Sequence, residues 1–346
     1  MRIVSLLPSA TEMVCALGLR DELVGVSHRC DYPPEIEGVA VVTRPRADGA
    51  PLEADGPGAG AVAGPVAGPG AGSVAGPVAG PGAGSVAGPV AGPVAGSVAR
   101  PLLDHELGAA ELDVEALRAA QPDLVIVRDL AAGSGLGSRQ VREALRESSG
   151  EAVIVSLNAV SVEGVFHSIS TIGAMVEAED DAIELLEALR EKLGDLEQHV
   201  VVRHDEGIRA PRVVVLQSLE PPFASGRWVP EQVRRAGGWE LLGNEGEAAA
   251  PTSWEAIRDV DPEMLLIAPS GMHLPAAKRA FSRMQLPEFW HEIEAVRRGR
   301  VFIVEPVYFE RPGPRIVDGV GMLAEIFDSD GFIETSPPGS WTPLFE

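Results

Sequence analysis

Cysteine is nearly absent: Cys15 and Cys30 are the only two in 346 residues. Two thiols build neither a disulfide framework nor an all-cysteine metal site, and Cys15, set among Met13, Val14 and Leu17, reads as a small core residue. Lysine is as scarce, since Lys192 and Lys278 stand alone and the other 26 basic residues are arginines. Aromatic residues make up 5% of the chain, and no run of about 20 apolar residues occurs that would span a membrane as a helix. Familiar catalytic patterns are missing too: there is no Gly-x-Ser-x-Gly elbow, no complete phosphate cradle, no His-x-x-x-His pair and no Cys-x-x-Cys.

What is present is acid. The formal net charge is −23, which repels nucleic acid at long range and excludes it as a partner. An acid-rich, lysine-poor chain is what solubility in concentrated salt requires, so a halophilic setting is expected, although a GC-rich genome also favours arginine over lysine. The length suffices for two domains with separate cores.

The chain is organised around a stretch from about Ala178 to His204, which predicts one long charged helix. Leu186, Leu189, Leu193, Leu196 and Val200 recur at steps of three and four, giving a single apolar seam. On either side of it lies an internal repeat. Glu115-Ala116-Leu117-Arg118, then three residues, then Pro122-Asp123-Leu124-Val125-Ile126-Val127 is echoed by Glu255-Ala256-Ile257-Arg258, three residues, then Pro262-Glu263-Met264-Leu265-Leu266-Ile267. Both copies read helix, proline break, covered strand.

Each half also opens on a strand (2–7; 212–216) and closes on another (152–157; 301–304). The fold class is therefore α/β, with two Rossmann-like lobes of mostly parallel strands joined by a single long backbone helix. The expected division is an N-terminal lobe over 1–160, linker helices over 161–205, a C-terminal lobe over 206–328 and a loosely held tail over 329–346. From Gly56 to Ala99 no residue is charged, and the chain cycles through Ala-Gly-Pro-Val units. Lacking aromatic bulk, this part of an insertion at about 49–100 cannot offset its ordering entropy and is expected to be a mobile passenger.

At the N-terminus, Pro8, Ser9, Thr11 and Glu12 interrupt the apolar run that a signal peptide needs. The segment reads better as strand, turn and helix, with Ser9 and Glu12 as a capping box. The expected location is cytoplasmic, or extracellular and membrane-associated if translation starts upstream. The glycine-rich run from Gly133 to Ser138 departs from a dinucleotide fingerprint at Ser138 and reads as a flexible connection.

Open α/β sheets place ligands beyond the C-terminal ends of their strands. The loops there bring His28, Tyr32, Asp129, Phe223, Trp228, Tyr308, Phe309 and Arg311 toward a shared crevice. Five rings on rim loops of an aromatic-poor chain point to a binding surface. His28, Cys30 and Asp31 share one loop and keep a thiol-nucleophile site open as an alternative.

Four segments then carry a specific resemblance: Arg2-Ile3-Val4-Ser5-Leu6-Leu7-Pro8-Ser9-Ala10-Thr11-Glu12, Cys30-Asp31-Tyr32-Pro33-Pro34, Pro221-Pro222-Phe223-Ala224-Ser225-Gly226, and Tyr308-Phe309-Glu310-Arg311-Pro312-Gly313-Pro314-Arg315. In that order they resemble the cobalamin-binding substrate-binding proteins of ABC importers. The resemblance implies a non-enzymatic monomer that holds cobalamin or a related corrinoid in a cleft between two lobes, with little lobe closure because one continuous helix joins them. It implies a corrinoid lining of Tyr32, Phe223, Tyr308 and Phe309, with Trp228 and Arg311 beside it. Glu115 and Glu255 would dock on arginines of a transporter permease, and His28 and Cys30 remain as candidate cobalt-side groups. Alternatives are a ferric siderophore or haem held by the same fold, and an intracellular enzyme of corrinoid salvage.

Overall fold

The computed structural model describes residues 1–45, 110–129, 136–146, 152–328 and 335–345. The Ala/Gly/Pro/Val-rich insertion and residues 133–135 of the glycine-rich run lie outside them.

In the first lobe four parallel strands form one sheet, in the order Leu23–Val26, Ile3–Ser5, Leu124–Val127 and Val153–Ser156. Parallel neighbours need crossovers, and the helices Pro8–Ala16, Val114–Ala120 and Ser138–Leu145 lie between these strands in the chain. Alternate side chains therefore feed two apolar layers. Ile3, Leu124 and Ile126 join one, whereas Val4, Val125 and Val127 join the other.

The second lobe repeats the plan around Arg212–Leu219, beside which Met264–Ile267 and then Val301–Val304 run parallel. Its edges differ. Pro222–Ala224 turns back antiparallel on the opening strand, and Trp341–Pro343 pairs antiparallel with Val301–Val304. Residues 335–345 thus close a sheet edge instead of hanging loose, and the Glu325 carboxylate accepts the N–H groups of Thr335 (3.0 Å) and Ser336 (2.9 Å).

The sequence repeat is also a structural one. Asp113 and Ser253 cap the helices Val114–Ala120 and Trp254–Val260 by accepting the N–H of Ala116 (3.0 Å) and Ala256 (3.1 Å). Both helices then stop at a left-handed residue, Gln121 and Asp261, each at φ 43°. The expected capping box at Ser9 and Glu12 is absent, since Pro8 opens that helix and no side chain caps it. Glu12 has another role, described below.

One helix of 27 residues, Glu179–Asp205, lies between the halves. At 1.5 Å per residue it is about 40 Å long. Ala182, Leu186, Leu193 and Leu196 are its buried seam, while Leu189 is only partly covered. Ala182 packs on Gly173 of the preceding Val162–Met175 helix. Farther along, Lys192 bonds Asp318 at 2.5 Å and His199 meets Asp328 at 3.3 Å, tying the rod to the Ile316–Phe327 helix.

Candidate binding cleft

Three loops that leave the C-terminal ends of parallel strands, at 27–33, 268–273 and 305–315, surround a cavity of about 500 Å³. His28, Arg29 and Asp31 line it from the first lobe, and Met272, His273 and Arg311 from the second. That volume is in the ordinary range for a small-molecule site.

A buried ion lattice crosses the mouth of the cleft. The Glu12 carboxylate, 2% exposed, accepts from Arg315 Nε (2.9 Å) and Nη2 (2.5 Å) and from Arg311 Nη1 (3.3 Å). Arg311 also grips Asp31 with two bonds, at 2.6 and 3.0 Å. Glu12 and Asp31 come from the first lobe and the arginines from the second, so the lattice stitches the two together. Burial pushes the Asp31 carboxyl up, but the bonds from Arg311 and the charge on Arg311 and Arg315 outweigh it and hold the group below its usual range. Burial also works against the Arg311 charge, and the same acids more than compensate and raise its pKa.

The aromatic residues differ most from expectation. Trp228, Phe223 and Phe309 are buried, and they present no face to the cleft. Trp228 Nε1 donates to the Phe309 carbonyl at 2.9 Å, and Gln232 Nε2 donates to the carbonyls of Tyr308 (3.0 Å) and Ile316 (2.8 Å). These residues fix the path of the loop that carries Arg311. Phe223 sits in a sheet strand opposite Ser218 and Pro251. Tyr308 is also mostly buried, though its ring and that of Tyr32 flank the Arg315 guanidinium at 5.6 and 4.1 Å. Of the predicted rings, Tyr32 alone is exposed. Buried and exposed rings carry the same sequence signal, an aromatic within three residues of a proline after a strand, so the pattern alone did not separate them.

Asp129 serves as a helix cap, its Oδ1 accepting the Ser138 N–H at 2.7 Å. Cys30 turns from the cavity: its Sγ lies 3.1 Å from Thr11 Oγ1 and packs against the core. Glu115 and Glu255 are exposed at matching places, in the first turns of the two repeat helices.

His28 does line the cleft. Its Nδ1 lies 2.7 Å from Thr43 Oγ1, and burial together with neighbouring Arg29 lowers its pKa, which favours the neutral ring. His273 of the second lobe, which the sequence pattern did not single out, lines the same cavity, with Nδ1 2.7 Å from Glu305 Oε1. Its only sequence signal was position, just after the second repeat strand.

Two α/β lobes on a single connecting helix, with a polar-rimmed cavity between them, define a two-lobed ligand-binding protein. Residues 106–308 match the family model described as "Periplasmic binding protein", and the chain belongs to that family. The family is one of binding proteins, not enzymes. A relative in Bacillus subtilis, described as an uncharacterized ABC transporter substrate-binding lipoprotein, is 24% identical over 96% of this chain and 82% of its own length. Among solved structures, a periplasmic heme-binding protein from Pseudomonas aeruginosa superposes with TM-score 0.66 at 19% identity, covering 97% of this chain and 95% of that one. A periplasmic vitamin B12 binding protein from Vibrio cholerae gives TM-score 0.58 at 19% identity, covering 95% and 96%. Among the described residues no helix is long and apolar enough to cross a membrane.

Proposed function

We propose that this chain is the substrate-binding component of an ABC import system and that its cleft takes cobalamin or a related corrinoid. The observation that supports the corrinoid is where the positive charge goes. An anionic chelate such as a ferric siderophore needs several converging, uncommitted cations. Arg311 and Arg315 are instead neutralised by Glu12 and Asp31, and of the two arginines lining the cavity Arg29 is the one with no ion pair to a carboxylate among the described residues. A corrinoid edged with neutral amides suits such a rim, where carboxylates and guanidinium groups offer hydrogen bonds without a net field. Haem is the second reading, supported by the two imidazoles on the cavity wall and opposed by its own carboxylates.

The lipoprotein description of the Bacillus relative supports a place on the outer face of the membrane, where exposed Glu115 and Glu255 suit a two-point dock on a basic permease. Sorting cell fractions into membrane and soluble pools by peptide mass spectrometry tests that placement. Calorimetry at high salt with cyanocobalamin, cobinamide and haem tests the ligand. Heat with the corrinoids and weaker or no heat with haem is expected. Silence with both corrinoids sinks the reading.

A further inference from the structure

Two imidazoles in one cavity are each held by Nδ1 with Nε2 left over. At His28, Thr43 Oγ1 already donates its proton to Ser27 Oγ at 3.2 Å and accepts the His28 backbone N–H at 2.9 Å. The 2.7 Å contact at Nδ1 accommodates the ring N–H donating to Thr43, the tautomer in which Nε2 keeps its lone pair. At His273 the partner is a carboxylate, which only accepts, so Nδ1–H donates to Glu305 at 2.7 Å and Nε2 is the nitrogen left over. Glu305 is held in turn, because its other oxygen accepts the Leu274 N–H at 3.0 Å. An imidazole whose far nitrogen donates to a fixed acceptor is the arrangement that orients a metal ligand and raises its basicity. Neither Nε2 has a hydrogen-bond partner among the described residues.

These two nitrogens do not suffice for a free ion. Among the described residues no group of three or more His, Cys, Asp or Glu side chains is placed to hold a metal. Two imidazoles, one from each lobe, lining one cavity instead match a metal that brings its own equatorial ring and has two exchangeable axial positions. We propose that His28 and His273 coordinate the metal of the bound macrocycle from its two faces through Nε2, so that the preferred cargo is a corrinoid lacking a tightly held lower base. This inference rests on the tetrapyrrole reading above and adds to it a bonding mode. In the step, each Nε2 lone pair forms a cobalt–nitrogen bond as a bound water leaves; no proton moves and the cobalt keeps its oxidation state.

The test is a visible absorption titration of the full chain with diaquocobinamide, with diaquocobinamide in excess imidazole as the spectral reference. The bound spectrum is expected to match the bis-imidazole reference. His28→Ala and His273→Ala should each give a mixed imidazole–water spectrum, and the double variant the diaquo spectrum, with added imidazole restoring the bis-imidazole form. Glu305→Gln, which leaves the ligand in place but weakens its support, should lower affinity by roughly 10- to 100-fold. Calorimetric binding with a diaquo spectrum overturns the axial bonds while leaving the corrinoid reading intact. A spectrum that responds to only one of the two histidines overturns the two-sided bond. Absence of heat overturns both readings together.

Discussion

Glu12→Gln is expected to be the most damaging conservative change at the cleft. The glutamate is 2% exposed and accepts three bonds from two guanidinium groups. The amide removes the negative charge while nearly keeping the shape. Arg311 would still have Asp31, but Arg315, itself largely buried, would be left with only the faces of Tyr32 and Tyr308. Removing one partner of a buried pair costs about 3 to 5 kcal/mol, and because two rings and solvent remain, the low end, about 3, applies. With a urea m-value near 3 kcal/mol/M, the unfolding midpoint should fall by about 1 M. Asp31→Asn is the contrast. Its pairing with Arg311 is bidentate and short, yet the Asp31 side chain is 49% exposed, so solvent screening limits the loss to about 1 kcal/mol. A cycle of Glu12→Gln and Arg315→Gln should show coupling of at least about 2 kcal/mol. If the two single changes shift the midpoint equally, or the cycle shows no coupling, burial does not rank these contacts and the reasoning fails.

Stability should also carry a pH signature from Glu240. Burial pushes its carboxyl up to about 7 although it accepts N–H bonds from Leu242, Gly243 and Val215. A raised folded value means that the folded state holds the proton longer, so this contribution is complete below about pH 4.5 and is lost as pH rises through 7, by at most about 3 kcal/mol; Glu240→Gln should flatten that slope in urea melts from pH 5 to 8. Trp228→Phe removes the bond to the Phe309 carbonyl and leaves a buried acceptor, at a cost of about 1 to 3 kcal/mol. Corrinoid affinity should fall with it, as measured by calorimetry, if the indole positions the Arg311 loop. Reversing both docking charges, Glu115→Arg with Glu255→Arg, should abolish uptake by cells while leaving calorimetric affinity unchanged, and an unaltered uptake rate would remove these residues from the dock.

The repeat, the rod and most of the parallel strands were legible because each has a local period or a proline break. The Ile316–Phe327 helix and the Val301–Val304 strand fall where patterning put them. The site was legible only in part. Position after a strand brought His28 and Arg311 to the cavity, but it did not distinguish Tyr32, which is exposed, from Phe309, which is buried in the apolar core. The Glu12 lattice was hidden because its members are about 300 residues apart, and the local capping explanation for Glu12 was complete without it. His273 needed a tertiary partner, Glu305, before it stood out from an ordinary surface histidine.

The short strands Thr43–Pro45 and Ala110–Leu112 pair antiparallel, with Pro45 directly opposite Ala110. Whatever length of chain is spliced between them leaves and returns at one doorway. Each doubling of a loop costs only about 0.6 kcal/mol in closure entropy, so replacing residues 46–109 with a four-residue turn, a saving of four doublings, alters stability by about 2 kcal/mol. The doorway is thus a cloning port: a reporter domain could be threaded there, or the segment excised, without disturbing the register on either side.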